Sequence, residues 1–261
     1  MRKNLTLILF SILTIFGLNA ADTVKVKQTQ IPILIDRTDN VLFYIRIDAQ
    51  QSKQLNEVTL QFGKDVNLSE IESVKLYYGG TEAAQRAGQK TFAPVEYISS
   101  HSIGKTRAAN PSYSIKACEQ IAPKSKVVFA PDYSLFPGTN YFWISLQMKQ
   151  NASLLSKIDV KLTSVELDNK TAPLSFEREV DPHRMGYGVR QAGDDGSAAY
   201  RIPGLVTTNE GSLLGVYDIR YNSSVDLQEY VEIGVSRSTD KGQTWEPMRV
   251  AMSFGEYGGL P

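Results

Sequence analysis

The sequence predicts an all-β protein, in which an N-terminal β-sandwich of the jelly-roll type is followed by a smaller four-stranded antiparallel sheet. Short segments rich in β-branched and aromatic residues recur along the chain, with polar, glycine- and proline-containing turns between them. No helical apolar periodicity intervenes between these segments. The 261 residues, 42% of them hydrophobic and 21% charged, have the balance of a globular protein of one or two domains.

The charge and the counts of cysteine and histidine exclude several classes of function. The chain has 28 Lys and Arg against 28 Asp and Glu, so no overall positive field favours binding to nucleic acid or to an anionic membrane. Cys118 is the single cysteine and cannot form an internal disulfide. The two histidines, His101 and His183, are too few for a His-rich or Cys/His zinc site. We therefore expect no metal site and no cofactor.

The N-terminus has the pattern of a secretory signal peptide. Two basic residues precede an apolar run from Leu5 to Leu18, and small residues follow at positions 19–21. The run is shorter than the roughly 20 residues that span a bilayer. We expect cleavage of residues 1–21, export to the periplasm or the medium, and no stable membrane insertion afterwards. A retained anchor is the alternative, because Leu18 is bulky for a position near the cleavage site.

The region from 22 to 180 predicts the β-sandwich. Its candidate strands alternate apolar with polar residues or carry β-branched and aromatic side chains. They are Tyr44–Ala49, Val58–Phe62, Val74–Tyr78, Val127–Phe129, Tyr141–Leu146 and Ile158–Leu162. The turn signals between or beside them are Gly79-Gly80, Pro131-Asp132 and Pro137-Gly138. A charged, proline-containing segment at 168–181 predicts the domain boundary, which divides the mature chain into 22–180 and 181–261.

The second region predicts four antiparallel strands, which together would make one blade of a propeller. They are Tyr200–Thr207, Ser212–Asp218, Tyr230–Arg237 and Met248–Met252. In the turn before the last strand, the polar groups would be hydrogen-bonded by residues of the turn itself. Asp240 can accept hydrogen bonds from turn amides, Gly242 can take a positive φ, and Trp245 can pack over the hairpin.

The turn resembles a known family motif. Ser238, Asp240, Gly242, Thr244 and Trp245 form the string Ser-x-Asp-x-Gly-x-Thr-Trp, which is similar to the Asp box of sialidase propellers. Such boxes are folding motifs on the outer rim of the blades. The resemblance therefore implies a structural role for these five residues and no catalytic one.

A second motif makes the resemblance more specific. Tyr200-Arg201-Ile202-Pro203 resembles the signature that opens the catalytic propeller of exo-α-sialidases. Arg220 follows Arg201 by 19 residues and Asp226 follows Arg220 by six, as in that family. The motifs cover about 187–261, whereas the upstream region resembles the carbohydrate-binding-like sandwich of Bacteroides-type sialidases only in style and position.

The resemblance implies roles for three residues. Arg201 would grip the carboxylate of a sialoside as one member of an arginine triad, because the guanidinium fork matches a carboxylate. Arg220 would line the same pocket, and Asp226 would be the acid/base catalyst, with a pKa raised by burial against the substrate. The alternative for Arg201 and for Arg220 is an arginine that only pairs with an acid elsewhere in the chain. The alternative for Asp226 is an ordinary turn in which its side chain caps the loop. Asp218 is a competing carboxylate.

By this resemblance, the protein would remove terminal sialic acids from sialylated glycoconjugates with retention of configuration, through a tyrosine nucleophile. The nucleophile, its glutamate and the other triad arginines lie in later blades of the family. We therefore expect a truncated chain that is inactive alone, and we expect Tyr217, Tyr221 and Tyr230 to be packing or rim residues and not the nucleophile. The alternative is a non-catalytic glycan-binding sandwich with a vestigial blade. Its stacking candidates, for which core packing is the competing interpretation, are Tyr77, Tyr78, Tyr97 and Tyr141.

Overall fold

The computed structural model describes residues 22–81, 115–177, 181–226 and 230–253. The predicted signal peptide at 1–21, Tyr97, His101 and the residues from 254 onward lie outside these ranges. No helix within the described ranges has the length and hydrophobicity needed to cross a bilayer.

Within the described ranges, fourteen strands precede the C-terminal sheet. They are β1 (Thr23–Gln28), β2 (Ile33–Leu34), β3 (Asn40–Ala49), β4 (Lys53–Phe62), β5 (Ile71–Thr81), β6 (Ile115–Ile121), β7 (Lys126–Phe129), β8 (Tyr133–Leu135), β9 (Gly138–Met148), β10 (Lys157–Ile158), β11 (Val160–Leu167), β12 (Lys170–Thr171), β13 (Leu174–Phe176) and β14 (His183–Gly186). The C-terminal sheet contains β15 (Ala199–Thr207), β16 (Leu213–Arg220), β17 (Val231–Ser238) and β18 (Arg249–Met252).

The first fourteen strands form a β-sandwich, as predicted. One sheet has the order β13-β1-β3-β9-β5-β6, the other β12-β11-β4-β7 with β8 also on β4, and a small third sheet has the order β10-β14-β2. Alternate residues of β3 and β9 point into one apolar core with residues of β4 and β7. Phe43, Phe142, Leu60 and Phe129 are among its buried members. Burial of each large side chain contributes about 1.5–3 kcal/mol, which makes this core the main source of stability.

Two details of the sandwich differ from the prediction. The segment from Ile158 to Leu162 is two strands, because the chain changes sheet at Asp159, whose carbonyl accepts a hydrogen bond from the Gly63 amide (3.0 Å). Gly79-Gly80 lies inside β5 and does not end the strand. The register shifts between Tyr78 and Gly80, and the φ of 96° at Gly80 is one that glycine adopts at no steric cost.

The sheet pairing of the sandwich extends past the predicted boundary at 180. Strand β14 pairs with β10 and, in parallel, with β2. Its His183 and Met185 are buried. A few residues later the Asp36 carboxylate accepts a hydrogen bond from the Gly188 amide (2.9 Å), so the chain remains attached to the sandwich as it approaches the C-terminal sheet.

Candidate active site

The C-terminal sheet carries the residues of the sialidase-like signature on its first two strands. The sheet is antiparallel with the order β15-β16-β17-β18, which agrees with the four predicted strands. Arg201 of β15 is paired directly opposite Asp218 of β16, so their side chains lie on the same face. Arg220 ends β16, and the loop after it carries Asp226. The register therefore brings both predicted arginines and the predicted acid to one end of the sheet.

Arg201 and Asp226 form an ion pair near the surface. The Nη1 atom of Arg201 lies 2.8 Å from Oδ1 of Asp226 and donates a second hydrogen bond to the Ser224 carbonyl (2.9 Å). The Arg201 side chain is 40% exposed and that of Asp226 is 64% exposed. Both groups are therefore accessible to a ligand that arrives from solvent.

Arg220 occupies the inner side of the same cluster, where its side chain is only 2% exposed. Its Nη2 atom donates to Asp218 (2.9 Å), and its Nη1 atom lies 2.7 Å from Oδ1 of Asp226. Nη1 also donates to the carbonyls of Ser224 (3.2 Å) and Val225 (2.7 Å). The pairing with acids that the sequence analysis kept as an alternative is present, and contact of Arg220 with a substrate stays a prediction.

The electrostatics of Asp226 follow from these neighbours. The hydrogen bond from Arg220, together with the charges of Arg201 and Arg220, holds the pKa of the Asp226 carboxyl below its ordinary value. This direction is opposite to the one that a general acid needs. The rise expected on burial against a substrate stays a prediction, because the structure places the carboxylate at the surface between two cations.

The tyrosines near the cluster pack within the chain. Tyr217 is buried, contacts Tyr200 edge-on and shares a 2.6 Å hydrogen bond with the Ser236 hydroxyl. Tyr221 and Tyr230 are stacked, with ring centroids 4.7 Å apart, and both hydroxyls donate to Glu232 (2.6 and 3.0 Å). Burial, with Glu232 beside it, raises the pKa of Tyr221 and disfavours its ionised form. These contacts agree with the packing roles expected for the three tyrosines.

The turn between β17 and β18 satisfies its own polar groups. Asp240 accepts hydrogen bonds from the Ser238 hydroxyl (2.8 Å), the Thr244 amide (2.9 Å) and the Thr244 hydroxyl (2.5 Å). Gly242 has φ 91°, its amide donates to the Ser238 hydroxyl, and the Trp245 indole donates to its carbonyl (3.2 Å). These bonds, chiefly those from Thr244, lower the pKa of Asp240 to about 2. These bonds of the Asp240 carboxylate all lie within the turn, which is what a folding role requires.

The sandwich presents none of its described stacking candidates to solvent. Tyr77, Tyr78 and Tyr141 are buried, and Tyr77 stacks on the buried Trp143 with ring centroids 4.1 Å apart. The fourth candidate, Tyr97, lies outside the described residues. The packing interpretation therefore applies to these three tyrosines. Within the same described ranges, no group of three or more His, Cys, Asp or Glu side chains is arranged to hold a metal ion.

Sequence reasoning missed two features of this site. It treated Asp218 as a competing carboxylate, whereas the structure shows it as the partner that fixes Arg220. It also treated Tyr200–Thr207 as a regular strand, although the register shifts between Arg201 and Gly204. Pro203 was the available signal for the second feature, because a proline inside a sheet is confined to edges and bulges.

Known proteins are similar to this chain over most of its length. Residues 21–171 match the model of the N-terminal domain of BNR-repeat neuraminidase. A sialidase of Bacteroides fragilis is 64% identical over 243 residues, which cover 93% of this chain and 45% of the relative. Sialidase B of Streptococcus pneumoniae is 40% identical over 70 residues, which cover 26% of this chain and 10% of the relative. A solved structure, the Hadza microbial sialidase Hz136, superposes with a TM-score of 0.76 at 53% identity, covering 91% of this chain and 46% of that one.

This chain spans less than half of the length of the Bacteroides fragilis and Hz136 proteins that it matches. The family match itself covers more than half of this chain and spans β1 to β12 of the β-sandwich. The chain therefore belongs to the BNR-repeat neuraminidase family and carries the N-terminal domain of that family.

Proposed function

We propose that the chain is the N-terminal part of an exported exo-α-sialidase, which hydrolyses terminal sialic acids from glycoconjugates with retention of configuration. The observation that carries this proposal is the exposed pair of Arg201 and Asp226, with buried Arg220 behind it. Similarity to proteins named sialidase supports the reaction class. The leader-like sequence at 1–21 supports export to the periplasm or the medium.

Arg201 is the proposed binding group for the carboxylate of the sugar. A guanidinium is permanently charged, and its parallel N–H groups can bind both oxygens of a carboxylate. The Nη1 atom of Arg201 donates hydrogen bonds to Asp226 and to the Ser224 carbonyl. Because the side chain is 40% exposed, its guanidinium remains accessible to a second anion. A substrate carboxylate would therefore compete with Asp226 for the same cation.

Asp226 is the proposed acid/base catalyst. In the structure its pKa is lowered by Arg220 and Arg201. When a substrate carboxylate takes Arg201, Asp226 loses one of these two cations and becomes buried against the sugar, and both changes raise its pKa. The carboxyl group can then hold the proton that the leaving glycosidic oxygen requires, and it can later remove a proton from water. Asp226 would therefore become the protonated acid when the substrate binds.

The remaining parts of the proposed mechanism follow from the family resemblance. A tyrosine nucleophile suits this substrate, since a carboxylate nucleophile would be repelled by the negative charge beside the anomeric carbon. In the family the nucleophile lies in later blades, and Tyr217, Tyr221 and Tyr230 have packing partners here. We therefore propose that the nucleophile belongs to a part of the enzyme other than residues 1–261. A polypeptide of these residues alone would then be inactive.

The test is to express the longest reading frame that contains this chain and to follow its action on a sialyl-galactoside by proton NMR. We expect release of sialic acid whose first-formed anomer is α, because a retaining enzyme keeps the configuration of the substrate. The 261-residue polypeptide, run in parallel, should release none. Release of the β anomer first would contradict retention. Absence of release by the longer protein, with its folding verified, would contradict the proposed function.

A further inference from the structure

Strand β15 contains one extra residue beside Arg201. Arg201 pairs with Asp218 and Gly204 pairs with Val216, so the two residues between Arg201 and Gly204 lie opposite Tyr217 alone. This count of two against one defines a β-bulge, made by Ile202 and Pro203. Ile202 has φ 53°, which is the left-handed region.

The left-handed backbone is unfavourable for this residue in two ways. A β-branched side chain at positive φ is a steric outlier, and a residue that precedes proline prefers extended backbone. The side chain of Ile202 is 62% exposed, so burial of apolar surface does not offset the cost. Strained residues of this kind persist when the surrounding structure requires them, and they cluster at functional sites.

The bulge decides which face of the sheet Arg201 occupies. Regular pairing continued from Gly204 and Val216 would place Arg201 opposite Ile219, whose side chain is fully buried. A shift of one residue moves every side chain to the other face. With the bulge, Tyr200 takes the place opposite Ile219 and Arg201 stands opposite Asp218, where its guanidinium reaches Asp226.

We infer that Ile202 is a positioning residue, whose left-handed conformation carries the bulge that turns Arg201 toward Asp226 and toward the carboxylate of a substrate. The identity of that carboxylate rests on the proposed function. The positioning itself does not, because it concerns two side chains of this chain.

The test measures the pKa of Asp226 in the 261-residue protein by carbon NMR, with carboxyl-labelled aspartate and assignment through Asp226→Asn. Arg201→Met shows how far the pKa rises when the guanidinium is absent. Ile202→Pro cannot adopt a positive φ, so it should lose the bulge and show the same rise. Ile202→Gly relieves the strain and keeps the bulge, so it should keep the low pKa and melt at or above the temperature of the unsubstituted protein.

Lys241→Gly is the matched control, because Lys241 also has a left-handed backbone, φ 62°, in the turn after β17. It should leave the pKa of Asp226 unchanged. A folded Ile202→Pro variant with the original pKa would overturn the inference, and so would an Ile202→Gly variant with a raised pKa and a lower melting temperature. If Ile202→Pro does not fold, the Ile202→Gly result decides. No sugar is used, so failure here is distinct from failure of the proposed hydrolysis.

Discussion

The two arginines beside Asp226 differ in exposure, and this difference separates their tasks. Arg201 is accessible and bound to Asp226 and one loop carbonyl, whereas Arg220 is buried and holds Asp218, Asp226 and two loop carbonyls at once. A ligand that takes Arg201 from Asp226 leaves the bonds of Arg220 to the loop in place. Removal of Arg220 would leave Asp218 without its partner and free the loop that carries the acid.

Arg220→Met should therefore destabilise the C-terminal sheet. We expect the free energy of unfolding to fall by about 2 kcal/mol. This value lies between the small contribution of a solvent-exposed ion pair and the large cost of breaking a buried one. Urea denaturation followed by fluorescence measures it. Arg249→Met is the control, because Arg249 is mostly exposed and lies 3.7 Å from Glu246, so its loss should change stability by less than about 0.5 kcal/mol. Equal losses in the two variants would contradict the anchoring role of Arg220.

Asp240 gives a prediction about pH. Its pKa in the folded chain is about 2, below the ordinary value of 3.8. A carboxyl group with a lowered pKa in the folded state stabilises the fold above its ordinary pKa, and this contribution is lost as the pH falls through the folded value. The melting temperature of the unsubstituted protein should therefore exceed that of Asp240→Asn at pH 5, and the difference should shrink between pH 4 and pH 2. A difference that is constant across this range would contradict the assignment.

For single residues, the sequence predicted which side chains lie together better than it predicted how they are arranged; their catalytic roles stay predictions. The spacings of 19 and six residues led to Arg201, Arg220 and Asp226, and the three side chains do meet. The inner position of Arg220 and the lowered pKa of Asp226 could not be predicted, because both depend on how a loop folds back onto a strand end. The left-handed backbone of Ile202 could not be predicted either, since a residue that precedes proline prefers an extended backbone.

Among the elements, β14 connects the sandwich to the C-terminal sheet. It is only four residues long, yet it pairs with two strands and buries His183 and Met185. The predicted boundary at 180 rested on charge and proline content, which mark exposed chain but carry no information on long-range pairing. The β-branched and aromatic residues of β3 and β9, by contrast, were sufficient to predict both strands, because such side chains favour the pleated, largely buried surface that these strands form.

The pairing of β14 predicts that the sandwich is more stable with it than without it. A fragment 22–190 should melt at a higher temperature than a fragment 22–180, because the shorter one exposes Ile33 and Ile158. Calorimetry of both fragments measures the difference. A fragment 22–190 in which His183 and Met185 are replaced by serine is the control, and it should resemble the shorter one. Equal melting temperatures for 22–180 and 22–190 would show that β14 contributes nothing to the sandwich.

In the whole molecule, the two parts differ in how completely their sheets are covered. The central strand β9 is buried along most of its length, whereas β15 and β18 are largely exposed and include Leu205, Val206 and Met252. A sheet with an uncovered apolar face loses little burial when it opens. The sandwich should therefore be the stable unit and the C-terminal sheet the labile one.

Hydrogen exchange tests this difference. Amides of β16, an inner strand of the C-terminal sheet, should exchange about tenfold faster or more than those of β9, an inner strand of the sandwich. The comparison is matched because both strands are paired on both sides. Equal protection of β16 and β9 would mean that the chain opens as one cooperative unit.

The proposed mechanism depends most on Asp226 as the acid, and the leaving-group dependence of hydrolysis tests that role most directly. In the longest reading frame that contains this chain, Asp226→Asn keeps the shape of the side chain and removes its transferable proton. Turnover of a sialyl-galactoside should fall by roughly two to four powers of ten, whereas an aryl sialoside with an acidic phenol should lose far less. Arg201→Lys should weaken both substrates alike, because the carboxylate fork is lost whatever the leaving group. If Asp226→Asn slows both substrates equally, or slows neither, Asp226 is not the acid.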